Sequence, residues 1–86
     1  MEFAFDPQKS ESNKKKRGID FYEPQALWGD PDVIEIPART PDEPRFLVIG
    51  QISGTHWSSV IAYRSGKIRI ISVRRSRKEA VDIYES

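Results

Sequence analysis

The sequence predicts an α+β domain with a single antiparallel sheet, preceded by helices and closed by one more helix. Three observations predict it. Residues 45–53, 56–64 and 67–75 are runs rich in β-branched and aromatic residues, separated by Ser-Gly turns. Upstream, Asp6-Pro7 and Asp20 with Glu23 are two helix-start signals. Downstream, Ser76 with Glu79 is a third.

Taken in order, Phe3 and Phe5 alternate with smaller or polar neighbours and predict a short edge strand. Asp6 offers an N-cap acceptor, and Pro7 sits at the first helical position, where no donor is lost. That helix spans residues 7–17 and stops at Gly18. It is polar throughout, and Lys14, Lys15, Lys16 and Arg17 fill its last turn, where cations offset the negative end of the helix dipole. Ile19 precedes a second, short helix that starts at Asp20, tolerates Pro24 in its first turn and ends at Gly29. Phe21, Leu27 and Trp28 supply its buried face, and Trp57 is likewise read as core.

Asp30-Pro31-Asp32 is a turn, and Val33, Ile34 and Ile36 give a strand. Residues 37–44 read as a loop with three prolines. The three β runs follow, and loops as short as Ser53-Gly54-Thr55 and Ser65-Gly66 make their neighbours antiparallel. A helix capped by Ser76 then runs to about residue 84, packing through Ala80, Ile83 and Tyr84. The predicted order is β-α-α-β-β-β-β-α.

Eighty-six residues suit one domain, 1–86, with a modest core that a partner chain would help to stabilise. Cysteine is absent, so neither a disulfide nor a zinc–thiolate site exists. No apolar run approaches the roughly 20 residues of a membrane span, and the start lacks the order of a secretory signal. The expected setting is soluble and cytoplasmic. Charge is segregated: residues 18–43 carry seven acids and one Arg, whereas residues 44–78 carry eight Lys/Arg and no acid. Such blocks create local fields that a net charge of +1 conceals, and the basic one suits a polyanion.

Residues 67–77, KIRIISVRRSR, lay cations over a strand. With a two-residue turn at Ser65-Gly66, Arg64 and Lys67 face each other at the hairpin tip. Strict alternation puts Arg69 on the face of Lys67, and Arg74 on the opposite one with Ile68 and Ile70. Arg74 and Arg75 end their strand beside a helix N-terminus. There they are placed to hold a phosphate with the amides near Ser76 and Arg77.

Catalytic sets of the usual kinds are missing. There is one histidine, no cysteine and no carboxylate cluster suited to a metal, and Gly50 and Gly54 lack the spacing of a phosphate loop. No cofactor is expected. One reaction class tolerates this poverty, the cleavage of RNA by its own 2′-hydroxyl, in which the protein supplies orientation and positive charge. The candidates for proton transfer are Lys16, His56, Tyr63, Lys67, Glu79 and Tyr84. The alternative is a non-catalytic module binding RNA or a partner through its basic face. Direct DNA binding is disfavoured, because no recognition helix is evident.

The segment FDPQKSESNKKKRGIDFYEPQALWGDP, the later RFLVIG, the YRSGKIRIISVRR hairpin and the closing helix together resemble the BrnT family of bacterial toxins. The resemblance implies a RelE-like fold and a ribonuclease that inhibits translation. It also implies a BrnA-like antitoxin that neutralises the toxin and carries the complex, with a toxin dimer in it, to operator DNA. Carried over by position, it implies Lys16, Arg64 and Arg74 as catalytic residues, with Arg45, Arg69 and Arg75 in supporting roles. Arg17 stands where the family usually has histidine, so that position holds charge in place of moving a proton. Arg17, Lys67 and Arg77 complete the expected RNA-binding set.

Overall fold

A computed structural model describes residues 1–40 and 42–86. Among these, the strands β1 (Phe3–Ala4), β2 (Ile34–Ala38), β3 (Arg45–Ile52), β4 (Thr55–Arg64) and β5 (Lys67–Arg75) form one sheet in the order β1-β5-β4-β3-β2. The helices are α1 (Pro7–Arg17), a 3₁₀ helix (Glu23–Gly29) and α2 (Lys78–Glu85). Of the proline loop expected over 37–44, Pro41 lies outside the described residues.

The sheet is mixed, which corrects the antiparallel expectation. β2, β3, β4 and β5 are antiparallel neighbours, but β1 lies parallel to β5, with Phe3 opposite Ile68 and Ala4 opposite Arg69. Only a hairpin forces antiparallel pairing, and two helices and three strands separate β1 from β5.

Three local expectations also change. The second helix winds as 3₁₀. It also starts at Glu23 and not at Asp20, with Tyr22 at the N-cap and no side-chain cap bond. The expected reciprocal bonds close the turn before it: Asp20 Oδ1 accepts from the N–H of Tyr22 and of Glu23 at 2.9 Å, and Glu23 Oε2 accepts from Asp20 N–H at 3.4 Å. With Pro24 lacking a donor and Gly29 ending it, this short segment tightens. Pro37 belongs to β2, an edge strand, where a missing donor is tolerated. At the C-terminal end, Arg77 caps α2 without a side-chain bond. The Ser76 hydroxyl pairs instead with that of Ser58 at 2.7 Å, and Ile83 is exposed.

Both hairpin turns have two residues at positive φ: Ser53 at 50° with Gly54 at 80°, and Ser65 at 51° with Gly66 at 73°. This is the turn whose twist matches paired strands. It sets Ile52 opposite Thr55 and Arg64 opposite Lys67.

The core occupies one face of the sheet. Ile19, Phe21 and Leu27 pack there on Val48, Ile61, Ile68, Ile70 and Val73, with Trp28 and Trp57 at the margin, as expected. Gly50 lets the 3₁₀ helix approach: a Cβ there would lie 3.1 Å from Leu27 Cδ2 and 3.2 Å from Asp30 Oδ2. Apart from Pro7, α1 has no apolar residue, and it docks by hydrogen bonds. Ser10 Oγ accepts from Phe21 N–H at 2.9 Å, and Asn13 Nδ2 donates to the carbonyls of Ile19 (2.8 Å) and Val73 (2.9 Å).

Asn13→Ala is expected to lower stability by about 1–3 kcal/mol in urea unfolding, because two inward carbonyls lose their donor. Gly50→Ala is expected to cost about 1–3 kcal/mol through overpacking against Leu27 and Asp30, read the same way.

Candidate functional site

One residue without a partner decides where the arginines point. In the β4–β5 ladder Ile61 pairs with Ile70 and Val60 with Ser72, leaving Ile71 as a bulge. Ile68 and Ile70 before the bulge and Val73 after it therefore all face the core. Arg74 then shares the opposite face with Arg69, correcting the placement expected from strict alternation.

On that face Arg74 enters a cleft of about 240 Å³, lined by Leu47, Ser58, Arg77, Glu79 and Ala80 as well. Its Nε is buried without a hydrogen-bond partner. Burial lowers the Arg74 pKa from its ordinary value, and the neighbouring charges of Arg77 and Arg17 add to that. Arg74 and Arg77 thus share one cleft where β5 ends and α2 begins, and Arg17, at the end of α1, is close enough for its charge to act on Arg74. Among the described residues, no carboxylate forms an ion pair with any of them.

The other predicted residues fall in different places. Lys16 is exposed in the last turn of α1, next to Arg17. Arg75 pairs with Trp57 and by alternation leaves Arg74 for the opposite face. The Ser76 N–H donates to the His56 carbonyl at 3.0 Å, so that amide is not free for a phosphate as expected.

Arg64 lies at the hairpin tip. Ser58 opposes Arg74, and six further residues of β4 lead to Arg64, roughly 20 Å away along the strand. Arg64 is also occupied: its Nε and Nη2 donate to the two carboxylate oxygens of Glu43 at 2.9 and 2.7 Å. That bond, with the charges of Arg64, Arg45 and Arg69, holds the Glu43 carboxyl below its ordinary range, and the same bond with the Glu43 charge raises the Arg64 pKa. Lys67, also at the tip, stands 4.0 Å from Glu2. Glu43 was not singled out in the sequence, where nothing marks it beyond its place next to Pro44-Arg45.

The proton-transfer candidates separate as well. The hydroxyl of Tyr63 donates to Glu35 and that of Tyr84 to Asp30, and both pKa values are pushed up to about 12, so neither is a base near neutrality. His56 Nε2 meets Glu85 Oε2 at 2.7 Å and Gln51 Nε2 at 3.1 Å, with its ring edge-on to Tyr84. Only Glu79 of the six lines the Arg74 cleft.

A family model described as ribonuclease toxin, BrnT, of type II toxin–antitoxin system matches residues 5–79. The chain belongs to the BrnT family. The match takes in the Arg17–Arg74–Arg77 cluster, Glu79 and the Glu43–Arg64 pair. As a BrnT protein it is a type II ribonuclease toxin, a class with an antitoxin protein as partner and RNA as substrate. No curated protein gives a significant match. Among the described residues, no His/Cys/Asp/Glu group of three or more is arranged to hold a metal ion. No helix there is long and apolar enough to cross a membrane.

At the C-terminal end of α2, away from the Glu79 end that lines the cleft, Asp30 Oδ2 accepts from Tyr84 Oη and from Gln51 N–H, both at 2.7 Å, and these bonds with the Asp32 N–H lower its pKa. A depressed carboxyl stabilises the fold above its unfolded pKa and loses that contribution as pH falls through the folded value. The stability difference between wild type and Tyr84→Phe is therefore expected to be full near neutrality and to shrink on acidification through the depressed Asp30 value. Carboxyl NMR of the variant should show Asp30 titrating closer to its ordinary value.

Proposed function

We propose that residues 1–86 act as one cytoplasmic toxin domain of RelE-like fold, an endoribonuclease that cuts RNA without a metal ion and so inhibits translation. The observation carrying this reading is Arg74 and Arg77 in one cleft with Glu79, with the charge of Arg17 nearby and none of the three arginines ion-paired with an acid among the described residues. Arg74 and Arg77 seat the scissile phosphate and stabilise the charge that grows on its oxygens in the phosphorane. Glu79 accepts the 2′-hydroxyl proton as that oxygen attacks phosphorus. The P–O5′ bond breaks, the 5′ oxygen takes a proton from solvent, and a 2′,3′-cyclic phosphate remains.

Arg17 adds positive charge beside Arg74, and Lys16 contacts the flanking backbone. Arg45, Arg64, Lys67 and Arg69 extend the positive field along the same face, and Arg75 adds to it at the strand end. A BrnA-like antitoxin neutralises the toxin, and their complex, containing a toxin dimer, binds operator DNA through the antitoxin.

The test is cleavage of a 5′-labelled RNA in EDTA. Wild type is expected to leave 2′,3′-cyclic ends, Arg74→Ala to slow cleavage about 10²–10³-fold, and Glu79→Gln about 10²–10⁴-fold with RNA affinity retained. Intact RNA, bound in a manner that weakens steeply with salt, would instead identify a non-catalytic binding module.

A further inference from the structure

Among the described residues, α2 is the one helix against the face that holds Arg74, and it covers one end of it. α2 has eight residues, none of them fully buried, and its ties run to Asp30, Gln51 and His56. Beyond it lies a second apolar layer of half-buried side chains: Ile34 and Ile36 on β2, Leu47 on β3 and Val60 on β4. The ladder places these four on one side, since Ile36 opposes Leu47 and Leu47 opposes Val60. None belongs to the main core cluster on the other side.

Arg45, Arg64 and Arg69 share this side by register. They already hold one carboxylate, since Arg64 grips Glu43 with two parallel bonds while Arg45 and Arg69 add their charge. An aliphatic floor edged by arginines suits a ligand that offers apolar side chains and carboxylates together. An RNA strand supplies the anions, but these four aliphatic side chains offer its bases no aromatic ring to stack on, whereas an acidic amphipathic helix matches both the floor and the arginines.

We propose that this half of the sheet face is the docking surface for an acidic, amphipathic segment of the antitoxin. Its apolar side rests on Ile36, Leu47 and Val60, and its carboxylates meet Arg45 and Arg69. The inference rests on the reading of the chain as a toxin with a protein antitoxin. Leu47 also lines the Arg74 cleft, so a segment seated on it closes the approach to Arg74 and Arg77. Neutralisation then follows from occlusion.

The test uses the full chain and a purified BrnA-like antitoxin. Methyl NMR of the wild-type chain is expected to show the largest shifts on binding at Ile34, Ile36, Leu47 and Val60. Ile36→Lys, two strands from the residues paired with Arg74, is expected to weaken the complex tenfold or more while RNA cleavage stays at the wild-type rate. That variant would then cut RNA in the presence of antitoxin at concentrations that silence wild type. The proposal is overturned if these methyls stay unmoved on binding, if Ile36→Lys binds as wild type does, or if wild type fails to bind. A chain that binds in this manner yet leaves RNA intact would refute the nuclease reading and leave the docking surface standing.

Discussion

The placement of Ile71 outside the β4–β5 ladder is the constraint on which the remaining structure depends. A strand of period two cannot bury both Ile70 and Val73, because they are three residues apart. One unpaired residue resets the phase, so both enter the core. The same step carries Arg74 to the face where α2 and Arg77 meet it. Packing of the core and placement of the arginine in its cleft are thus one event. A ladder without the bulge would put Ser72 opposite Ser59 where Val73 now fills the core, and Arg74 opposite Trp57 where Arg75 now stands.

The cation cluster is assembled by polar contacts. Beyond Pro7 at its start, α1 contributes no apolar side chain, and Ser10 and Asn13 bind it to the backbone of the 18–21 segment and of β5. This fixes the last turn of α1, and Arg17 with it, beside the end of β5. Three like charges brought together without an acid oppose folding, and an anion bound among them relieves that repulsion. Such an arrangement fits a site that trades some stability for affinity toward phosphate.

Two carboxylates divide the functional face. At the α2 end Asp30 accepts from Gln51 N–H and Tyr84, joining the turn before β2 to β3 and to the last helix. At the hairpin end Glu43 fills the fork of Arg64. Arg64 and Arg74 therefore differ in state although both are arginines of one face: the first has a counter-charge in the chain, and the second has none among the described residues. Their separation along β4 prevents both from serving a single phosphate.

Much of the fold was legible because it is local. Asp6-Pro7 starts α1, and Asp20 with Glu23 closes the turn that leads into the 3₁₀ helix, through bonds to residues two or three positions away, while Ser65-Gly66 sets the register of its hairpin. The acid-free block at 44–78 and the family's motifs likewise lie open in the chain. Some of the site was legible too, since the adjacent Ile70 and Ile71 break the alternation and are the visible trace of the bulge. What tertiary structure alone decided depends on residues far apart in sequence. The parallel β1, the meeting of Arg17 with Arg74, and the capture of Arg64 by Glu43 were of this kind. Ser76 was drawn from its capping role to Ser58 by the same cause. In each case a local preference worth a fraction of a kcal/mol to about 1 kcal/mol yields to packing and pairing between segments, which short-range patterns do not encode.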